Sequence, residues 1–181
     1  KQPVADGAEL MAYSGFSASN YLEQPYNADL DFGTGDFCVM GWVKSTTWDT
    51  QALVCRQDKT VTSGFGTGPI ILVQIYGGTT FAVTAGGPRI SAPFDYDTGA
   101  WHFLCGIRRN GIVELWANGV LLTATASAYN VSNTNSVTNI GALNYNGAIV
   151  DPMQNLSLLR ISATAPTPEQ IKKIYEDEKV L

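Results

Sequence analysis

Two Asn-Gly pairs divide residues 101–125 into three short runs that are rich in β-forming side chains. A type I′ turn requires a positive φ at both of its central residues, and Asn-Gly between such runs is the strongest short-range signal for a β-hairpin. Asn110-Gly111 and Asn118-Gly119 therefore predict two consecutive tight turns. Together these turns make a three-stranded antiparallel meander.

Counting outward from the two turns predicts which side chains of the meander share a face. The predicted rows are Cys105, Trp116, Leu121 and Ile107, Glu114, Thr123 on one face, and Leu104, Ala117, Val120 and Gly106, Leu115, Leu122 on the other. Both faces are largely apolar, whereas an antiparallel sheet with one solvated face alternates more cleanly. One face is therefore expected to be core, and the other to be covered, to bind a ligand, or both.

The composition indicates one globular domain with a sizeable core. The chain has 181 residues, of which 45% are hydrophobic, and a net charge of −5. No run approaches the ~20 apolar residues of a membrane span, and the acidic balance disfavours a nucleic-acid partner. Residues 1–8 lack a signal-peptide pattern and are expected to be a linker or the edge of a piece cut from a longer protein. Residues 9–181 are expected to form the domain.

Short apolar runs separated by Gly-rich turns predict an all-β sandwich or barrel. Outside the meander the runs cover residues 9–13, 36–44, 51–56, 69–76, 79–85, 136–143 and 156–162. Helix signals occur in one place, where residues 167–170 (Thr-Pro-Glu-Gln) form a capping box with proline at the first helical position. Ile171, Ile174 and Tyr175 then mark one apolar face, which predicts a short C-terminal helix packed on the sandwich.

The three cysteines, Cys38, Cys55 and Cys105, lie inside apolar strand-like runs without a CxxC spacing. An odd count leaves at least one thiol without an internal partner. All three are expected to be buried free thiols that pack as small hydrophobic side chains. That arrangement suits a protein folded in a reducing cytosol.

Three segments resemble the laminin-G-like, concanavalin A-like jelly-roll domains. Residues 36–44 (DFCVMGWVK) are similar to a family strand, residues 101–119 to the family meander, and residues 156–175 to the closing strand and terminal helix. The resemblance implies a two-sheet antiparallel jelly-roll sandwich with one short C-terminal helix. The family's closing strand usually carries an acidic pair, and here Ser157-Leu158 stands in its place. This fold hosts lectins, adhesion modules, enzymes and spacers, so it does not decide the function.

Residues 20–37 and 171–179 resemble such domains in tail and fibre proteins of tailed bacteriophages. This resemblance implies a non-catalytic carbohydrate-binding or adhesion module that recognises host surface glycans. Its place would be the virion, made in the host cytoplasm, or otherwise an extracellular location. Its partners would be other virion or fibre subunits, with a homo-oligomer as one arrangement. The alternative is a structural assembly module that binds no glycan, and a third hypothesis is a glycan hydrolase with a non-standard site.

The sequence gives little support to catalysis. Concanavalin-like glucanases place two carboxylates on one strand face, and no such run occurs here. Glu114 has no carboxylate two or four residues away, and His102 is the only histidine. A single histidine excludes a His-cluster metal site, and no Gly-x-Ser-x-Gly elbow is present. The chain is therefore predicted not to be an enzyme, with His102 a partly buried strand residue.

Calcium is a candidate cofactor, because the rims of jelly rolls often hold it with carboxylates and backbone carbonyls. The candidate ligands are Asp95 and Asp97, just before Trp101, and Asp49, Asp58 and Asp151 also fall in predicted loops. None has EF-hand spacing. The competing explanation is that these aspartates form turns.

Aromatic residues are the strongest indication of sugar binding, since sugar C–H faces stack on rings and sugar hydroxyls need polar partners. One candidate set lies on a sheet face: Met40, Trp42, Phe103, Glu114 and Trp116. The other lies in loops: Trp48, Tyr76, Tyr96, Tyr129, Asn144, Tyr145 and Asn146. The sheet face offers few hydrogen-bonding groups, so we predict that it serves packing or self-association. The ligand is predicted at the loops, with Tyr145 between Asn144 and Asn146, Tyr96 between Asp95 and Asp97, and Trp48 and Tyr76 nearby.

Overall fold

The computed structural model describes residues 12–58, 60, 70–96 and 98–179. Within these ranges the chain forms fourteen β-strands, one short 3₁₀ helix (Ala28–Leu30) and one α-helix. The strands are Tyr13–Ser14 (β1), Leu22–Gln24 (β2), Phe37–Lys44 (β3), Gln51–Asp58 (β4), Ile71–Tyr76 (β5), Thr80–Ala85 (β6), Ile90–Pro93 (β7), His102–Arg109 (β8), Ile112–Ala117 (β9), Val120–Ala126 (β10), Ser136–Ile140 (β11), Leu143–Tyr145 (β12), Ala148–Val150 (β13) and Asn155–Ser162 (β14). The helix is Pro168–Glu178 (α1).

Two six-stranded antiparallel sheets make the sandwich. The first sheet has the order β1-β14-β3-β8-β9-β10 and the second β2-β11-β4-β5-β6-β7, while β12 and β13 pair as a separate hairpin. This arrangement confirms the predicted all-β, two-sheet antiparallel jelly-roll sandwich with one C-terminal helix. Most of the predicted run at residues 9–13 and the predicted boundary between residues 8 and 9 lie outside the described residues.

The main core lies between the two sheets and is built from the inward-facing side chains of both. Val39, Leu104 and Leu115 contribute from the first sheet, and Val73 and Phe81 from the second. At Gly106 the sheets approach so closely that an added Cβ would lie 2.7 Å from a methyl group of Val83. Glycine is therefore required at that position by close packing.

The two Asn-Gly turns adopt the predicted conformation. The φ angles are 51° and 73° at Asn110-Gly111 and 49° and 76° at Asn118-Gly119. The rows Cys105–Trp116–Leu121 and Leu104–Ala117–Val120 are confirmed, as are the pairs Ile107–Glu114 and Gly106–Leu115.

The predicted pairings at Leu122 and Thr123 are wrong. A β-bulge between Leu121 and Thr123 shifts the register by one residue. Thr123 therefore lies opposite Leu115, and Ala124 lies opposite Glu114. Counting from a turn assumes an uninterrupted ladder, and a bulge places two residues against one.

Replacing either turn asparagine by alanine is expected to destabilise the fold, because alanine tolerates positive φ poorly. The cost at Asn110 should be on the order of 1 kcal/mol. The cost at Asn118 should be larger, since its Oδ1 also accepts the Phe103 N–H at 2.9 Å and its Nδ2 lies 3.2 Å from His102 Nδ1. Urea denaturation checks both variants, with Asn118→Gly separating the lost side-chain bonds from the φ penalty. Unchanged urea midpoints in both alanine variants would show that the positive φ angles at these turns do not require asparagine.

Helix α1 covers the second apolar face of the meander. Its capping box is present, with Thr167 and Gln170 bonded reciprocally. Ile171 is fully buried among the outward side chains of the first sheet, and the Tyr175 ring stacks on Trp42 at 5.8 Å. The indole N–H of Trp42 donates to Glu178 at 2.8 Å. The predicted packing role of this face is therefore met by the chain's own helix.

In the described ranges, no helix is long and apolar enough to span a membrane.

All three cysteines are buried and free, as predicted. Cys38 and Cys105 touch beneath α1, and this contact together with burial raises the pKa of the Cys105 thiol. Cys55 lies on the outer face of the second sheet, where burial raises the pKa of its thiol to about 12. The thiols of Cys55 and Cys105 are thus protonated packing groups at neutral pH.

Candidate functional site

The predicted triplet Asn144, Tyr145 and Asn146 lies on a hairpin that covers the outer face of the second sheet. Asn146-Gly147 forms the turn, with φ angles of 55° and 74°. Leu143 and Val150 at the base of the hairpin pack against Ala52, Cys55 and Leu72. Asn146-Gly147 is a third Asn-Gly pair, and like the two pairs of the meander it marks a tight turn between two strands.

Two contacts fix the backbone of this hairpin to strand β4. The side-chain amide of Gln57 donates to the Asn144 carbonyl at 2.7 Å, and the Asn144 backbone hydrogen-bonds to the Cys55 thiol. Asn144 is buried, whereas Tyr145 is 37% exposed. Of the triplet, Tyr145 is therefore the residue that offers an aromatic ring to solvent.

Buried amide side chains on this sheet face have polar atoms without a hydrogen-bond partner. They are Gln57 Oε1, Gln74 Nε2, both amide atoms of Asn139, and Asn144 Oδ1. Asn139 lies opposite Cys55 across β11 and β4, so it neighbours the point where Asn144 docks. Buried polar groups are ordinarily paired, and an unpaired set marks a place where a partner is needed.

A cavity of about 460 Å³, called the rim pocket below, opens at one end of the sandwich. It is lined by Phe16, Thr47, Asp49, Thr50, Gln51, Asp151, Pro152, Met153 and Gln154. These residues come mainly from the loop between β3 and β4 and from the segment that joins β13 to β14. The rim pocket therefore exists only because the fold brings two segments about a hundred residues apart into contact.

Hydrogen bonds of the Gln51 and Gln154 side chains, together with one backbone bond, hold these two segments together. Gln51 donates to the Ser45 hydroxyl at 2.6 Å and accepts the Gln154 backbone N–H at 3.1 Å. The side-chain oxygen of Gln154 in turn accepts the Thr46 N–H at 2.8 Å. The Ala52 N–H donates to the Asp151 carbonyl at 3.0 Å. The rim pocket thus has a fixed frame rather than free loops.

Two carboxylates are the charged groups among the residues that line the rim pocket. Asp49 is exposed and Asp151 is half-buried. Burial, and then the charge of Asp49, raise the pKa of Asp151. In the part of the chain that the structure describes, neither carboxylate makes a side-chain hydrogen bond. The side-chain oxygens of both Asp49 and Asp151 are therefore available to accept hydrogen bonds from a ligand.

The variant Asp151→Asn is expected to be slightly more stable than the natural chain at neutral pH. A raised pKa means that folding disfavours the ionised carboxylate, so this cost is present above the folded pKa and disappears as pH falls through it. Asparagine removes the charge and tolerates the positive φ of 50° at this position. Solvent screening at a half-exposed site limits the gain to roughly 1–3 °C in thermal midpoint. The difference between the two proteins should shrink in acid, and a destabilised variant would contradict this assignment.

Trp48 stands at the edge of the rim pocket, between the lining residues Thr47 and Asp49, and is 55% exposed. Its backbone packs on the turn between β5 and β6, where a Cβ on Gly78 would lie 2.3 Å from the Trp48 carbonyl oxygen. The Gly77 N–H also donates to the Thr50 hydroxyl at 3.1 Å. The indole is thus presented to solvent from a supported backbone.

Tyr76 lies on the same β5–β6 hairpin and is partly exposed. The guanidinium of Arg89 lies 3.7 Å from the centroid of its ring. One face of the Tyr76 ring is therefore occupied by a cation–π contact, which leaves less of it for a ligand. Tyr129 is half-exposed and lies against Gly86 and Gly87, away from the residues of the rim pocket.

The expectation that Tyr96 offers its ring at the surface is wrong. Tyr96 is 1% exposed and packs against Phe94, His102 and the edge of Trp48. Burial raises the pKa of its hydroxyl. An aromatic residue in a loop was predicted to be exposed, but this loop turns inward and closes the end of the core. Tyr96 supports Trp48 from below instead of contacting a ligand itself.

The predicted calcium ligands are only partly described. Asp95 is exposed, and Asp97 lies outside the described residues. Across the described ranges no group of three or more His, Cys, Asp or Glu side chains could hold a metal ion. The Asp95–Asp97 site therefore stays a prediction.

Glu114 and His102 are engaged in packing contacts. The Glu114 carboxylate accepts from Arg109 at 2.5 Å and from the Trp116 indole at 2.8 Å. His102 is buried in β8 beside Tyr96, as the sequence predicted. The Glu114 contacts explain why a carboxylate is tolerated on the helix-covered face.

Comparisons with known proteins agree with this fold. The model of the concanavalin A-like lectin/glucanases superfamily matches residues 16–172. No curated protein sequence matches the chain. Among solved structures, the carbohydrate-binding module CBM40 of a Ruminococcus gnavus sialidase, bound to α2,3-sialyllactose, is 9% identical with a TM-score of 0.65 and covers 93% of this chain and 100% of its own.

Two further solved structures show the same architecture. A heptameric pentraxin from Limulus polyphemus is 16% identical with a TM-score of 0.57 over 77% of this chain and 69% of its own. A leech intramolecular trans-sialidase is 13% identical with a TM-score of 0.64 over 90% of this chain and 27% of its own. At such identities the likeness concerns the fold.

Proposed function

The chain belongs to the concanavalin A-like lectin/glucanase superfamily, and from that premise we propose that it is a non-catalytic carbohydrate-binding module whose ligand sits in the rim pocket. The observation that carries the proposal is the pair of carboxylates, Asp49 and Asp151, in the rim pocket, with the exposed indole of Trp48 next to Asp49 on the β3–β4 loop. Stacking on an aromatic ring combined with hydrogen bonds to hydroxyls is the general chemistry of sugar recognition.

The polar groups of the rim pocket suit sugar hydroxyls. Asp49 and Asp151 accept hydrogen bonds, and the hydroxyls of Thr47 and Thr50 both donate and accept. A buried ligand hydroxyl left without a partner costs ~1–3 kcal/mol, so a pocket rich in such groups favours a polyhydroxyl ligand over an apolar one. The CBM40 module with the same fold was solved with α2,3-sialyllactose, which supports glycan binding as the class of function.

The hairpin of β12 and β13 gives the proposed site a second part. Asp151 follows directly after β13, and Tyr145 lies at the far end of the hairpin. Successive strand residues are about 3.3 Å apart and Tyr145 pairs with Ala148, three residues before Asp151, so Tyr145 lies roughly 10 Å from Asp151. An oligosaccharide held at the rim pocket would therefore reach Tyr145 and Asn146 with its second or third sugar.

A catalytic role has less support. Retaining and inverting glycosidases need two carboxyl groups on either side of the scissile bond, one of them a proton donor. Glu114 is held by Arg109 and Trp116 under the helix side of the first sheet. The paired carboxylates of concanavalin-like glucanases lie on one strand face, whereas Asp49 and Asp151 lie on two separate segments outside the strands. We expect no release of product from glycans incubated with the protein.

The resemblance of residues 20–37 and 171–179 to phage tail and fibre domains is the basis for a proposed location and a proposed host partner. On this hypothesis the module sits on a virion, binds host cell-surface glycans and contacts other fibre subunits. The alternative, a structural module without a ligand, would be favoured by a broad apolar sheet face closed by a symmetric neighbour. Over β3, β8 and β9 that face is covered here by α1 of the same chain, while Leu121 on β10 stays exposed.

A glycan-array screen of the purified chain tests the proposed function. The expected result is binding to a defined group of oligosaccharides, saturable in solution by calorimetry. Mass measurement of the free protein in parallel would detect self-association. Absence of binding to any glycan, together with a stable oligomer, would favour the assembly module instead.

A further inference from the structure

We infer that the rim pocket selects uncharged sugars and rejects sugars that carry a carboxylate, sulfate or phosphate. The inference rests on the proposed function, since it names the class of glycan that the same site takes. Two observations support it: both charges at the rim pocket are negative, and no arginine or lysine is among its lining residues.

The charges that line the rim pocket are all negative. Asp49 and Asp151 are its two ionisable lining residues, and they lie close enough for the charge of one to raise the pKa of the other. An anionic sugar placed there would add a third negative charge within a few ångströms. Repulsion between like charges at that range is substantial even near the surface, and it weakens with added salt.

The arginines that could recognise an anion are engaged elsewhere. Arg56 pairs with Asp31, Arg108 bonds to backbone carbonyls, Arg109 pairs with Glu114, Arg160 pairs with Glu178, and Arg89 stacks on Tyr76. A guanidinium is the usual bidentate partner of a carboxylate or sulfate. Among the residues lining the rim pocket there is none, so an anionic group would find no counter-charge.

The unpaired groups beside the rim pocket are neutral. The orphaned atoms on the outer face of the second sheet belong to Gln57, Gln74, Asn139 and Asn144, all amides at least nine-tenths buried. Gln74 lies opposite Ala52, whose N–H binds the Asp151 carbonyl, so this amide face adjoins the rim pocket. These amide atoms are closed off from solvent, so they do not contact a ligand directly, and they bring no positive charge to this side of the rim pocket.

The test compares matched pairs of glycans on one array, each neutral oligosaccharide beside its sialylated or sulfated derivative, for example lactose and 3′-sialyllactose. The strongest neutral ligand and its acidic derivative are then titrated by calorimetry at low and high salt. We expect the acidic member to bind at least tenfold more weakly at low salt. This ratio of the two dissociation constants, acidic over neutral, should decrease as salt rises.

The double variant Asp49→Asn/Asp151→Asn should narrow this ratio to about threefold or less, whatever it does to the affinity for the neutral sugar. Glu23→Gln, which removes an exposed carboxylate on β2, is the matched control and should leave the ratio unchanged. Equal or tighter binding of the acidic sugars, in buffer with EDTA or with calcium, would overturn the inference and leave the proposed function standing. Failure to bind any glycan would overturn both this inference and the proposed function.

Discussion

The variant Arg108→Met is expected to lose about 3–5 kcal/mol of unfolding free energy, equivalent to roughly 10 °C in thermal midpoint. Arg108 is fully buried at the end of β8. Its guanidinium donates to the carbonyls of Gly35, Tyr129 and Gly33, each at 2.7 Å. Methionine fills a similar volume but removes all three bonds: the Gly35 and Tyr129 carbonyls lose this donor, while the Gly33 carbonyl keeps the Val131 N–H at 2.9 Å.

The physical reason for the large effect is that these bonds tie β8 to two loop segments, which are also joined to each other by the Val131 N–H and the Gly33 carbonyl. The carbonyls belong to the loop before β3 and to the segment between β10 and β11. The guanidinium also lies 5.2 Å from the centroid of the Phe37 ring. Burial lowers the pKa of Arg108, and the charge of Asp36 opposes that shift. The charged side chain of Arg108 thus connects two loops to β8 and closes one end of the core.

Urea denaturation monitored by tryptophan fluorescence measures the expected loss. Arg89→Met is the matched control, because Arg89 is exposed and contacts the ring of Tyr76. That control should change stability by less than about 0.5 kcal/mol. A loss below 1 kcal/mol in Arg108→Met would show that water replaces the guanidinium at the three carbonyls.

The features that the sequence predicted well are those encoded by neighbouring residues. An Asn-Gly pair sets the φ angles of its own turn, and the capping box sets the first turn of α1, whatever surrounds them. The meander and the helix were therefore located correctly. The apolar runs identified β3 and β4 for the same reason, since burial on both faces leaves a continuous hydrophobic stretch.

Features that depend on contacts distant in sequence were missed. The bulge after Leu121 changes the ladder without leaving a signal in the residues around it. Arg108 sits beside Arg109 just before a turn, a position that is typical of a solvated charge, yet the fold buries one of the two and leaves the other partly exposed. Tyr96 was placed at the surface for the same reason, since loop residues are usually exposed.

The candidate site was predicted in part. Trp48 was identified as a loop aromatic, and Asp49 and Asp151 as loop aspartates, but nothing in the sequence brings the three together. Asp49 and Asp151 come together because Gln51 and Gln154 join the β3–β4 loop to the segment after β13, and Trp48 is carried by the same loop as Asp49. A single sequence shows which chemical groups are available, whereas the sandwich decides which of them converge.

Trp48→Ala is expected to weaken glycan binding by about 10- to 100-fold while the protein stays folded. The indole is more than half exposed and lies at the edge of the rim pocket, so its removal takes away the stacking surface without opening a core cavity. The main packing contact that the variant loses is the edge-on contact with Tyr96, with ring centroids 6.3 Å apart. The cost in stability is therefore limited. Calorimetric titration with the strongest glycan from the array measures the effect.

Two further alanine variants decide which part of the surface carries the binding. Tyr13→Ala removes an equally exposed ring from β1, at the edge of the first sheet, and should leave affinity unchanged. Tyr145→Ala tests the hairpin, and a site that extends from the rim pocket predicts a smaller loss there, seen with oligosaccharides but absent with a monosaccharide. Should Tyr145→Ala abolish binding of the monosaccharide while Trp48→Ala retains it, the primary site would lie on the hairpin. Normal affinity in both variants would exclude both surfaces, because neither would then contribute the aromatic contact that sugar recognition requires.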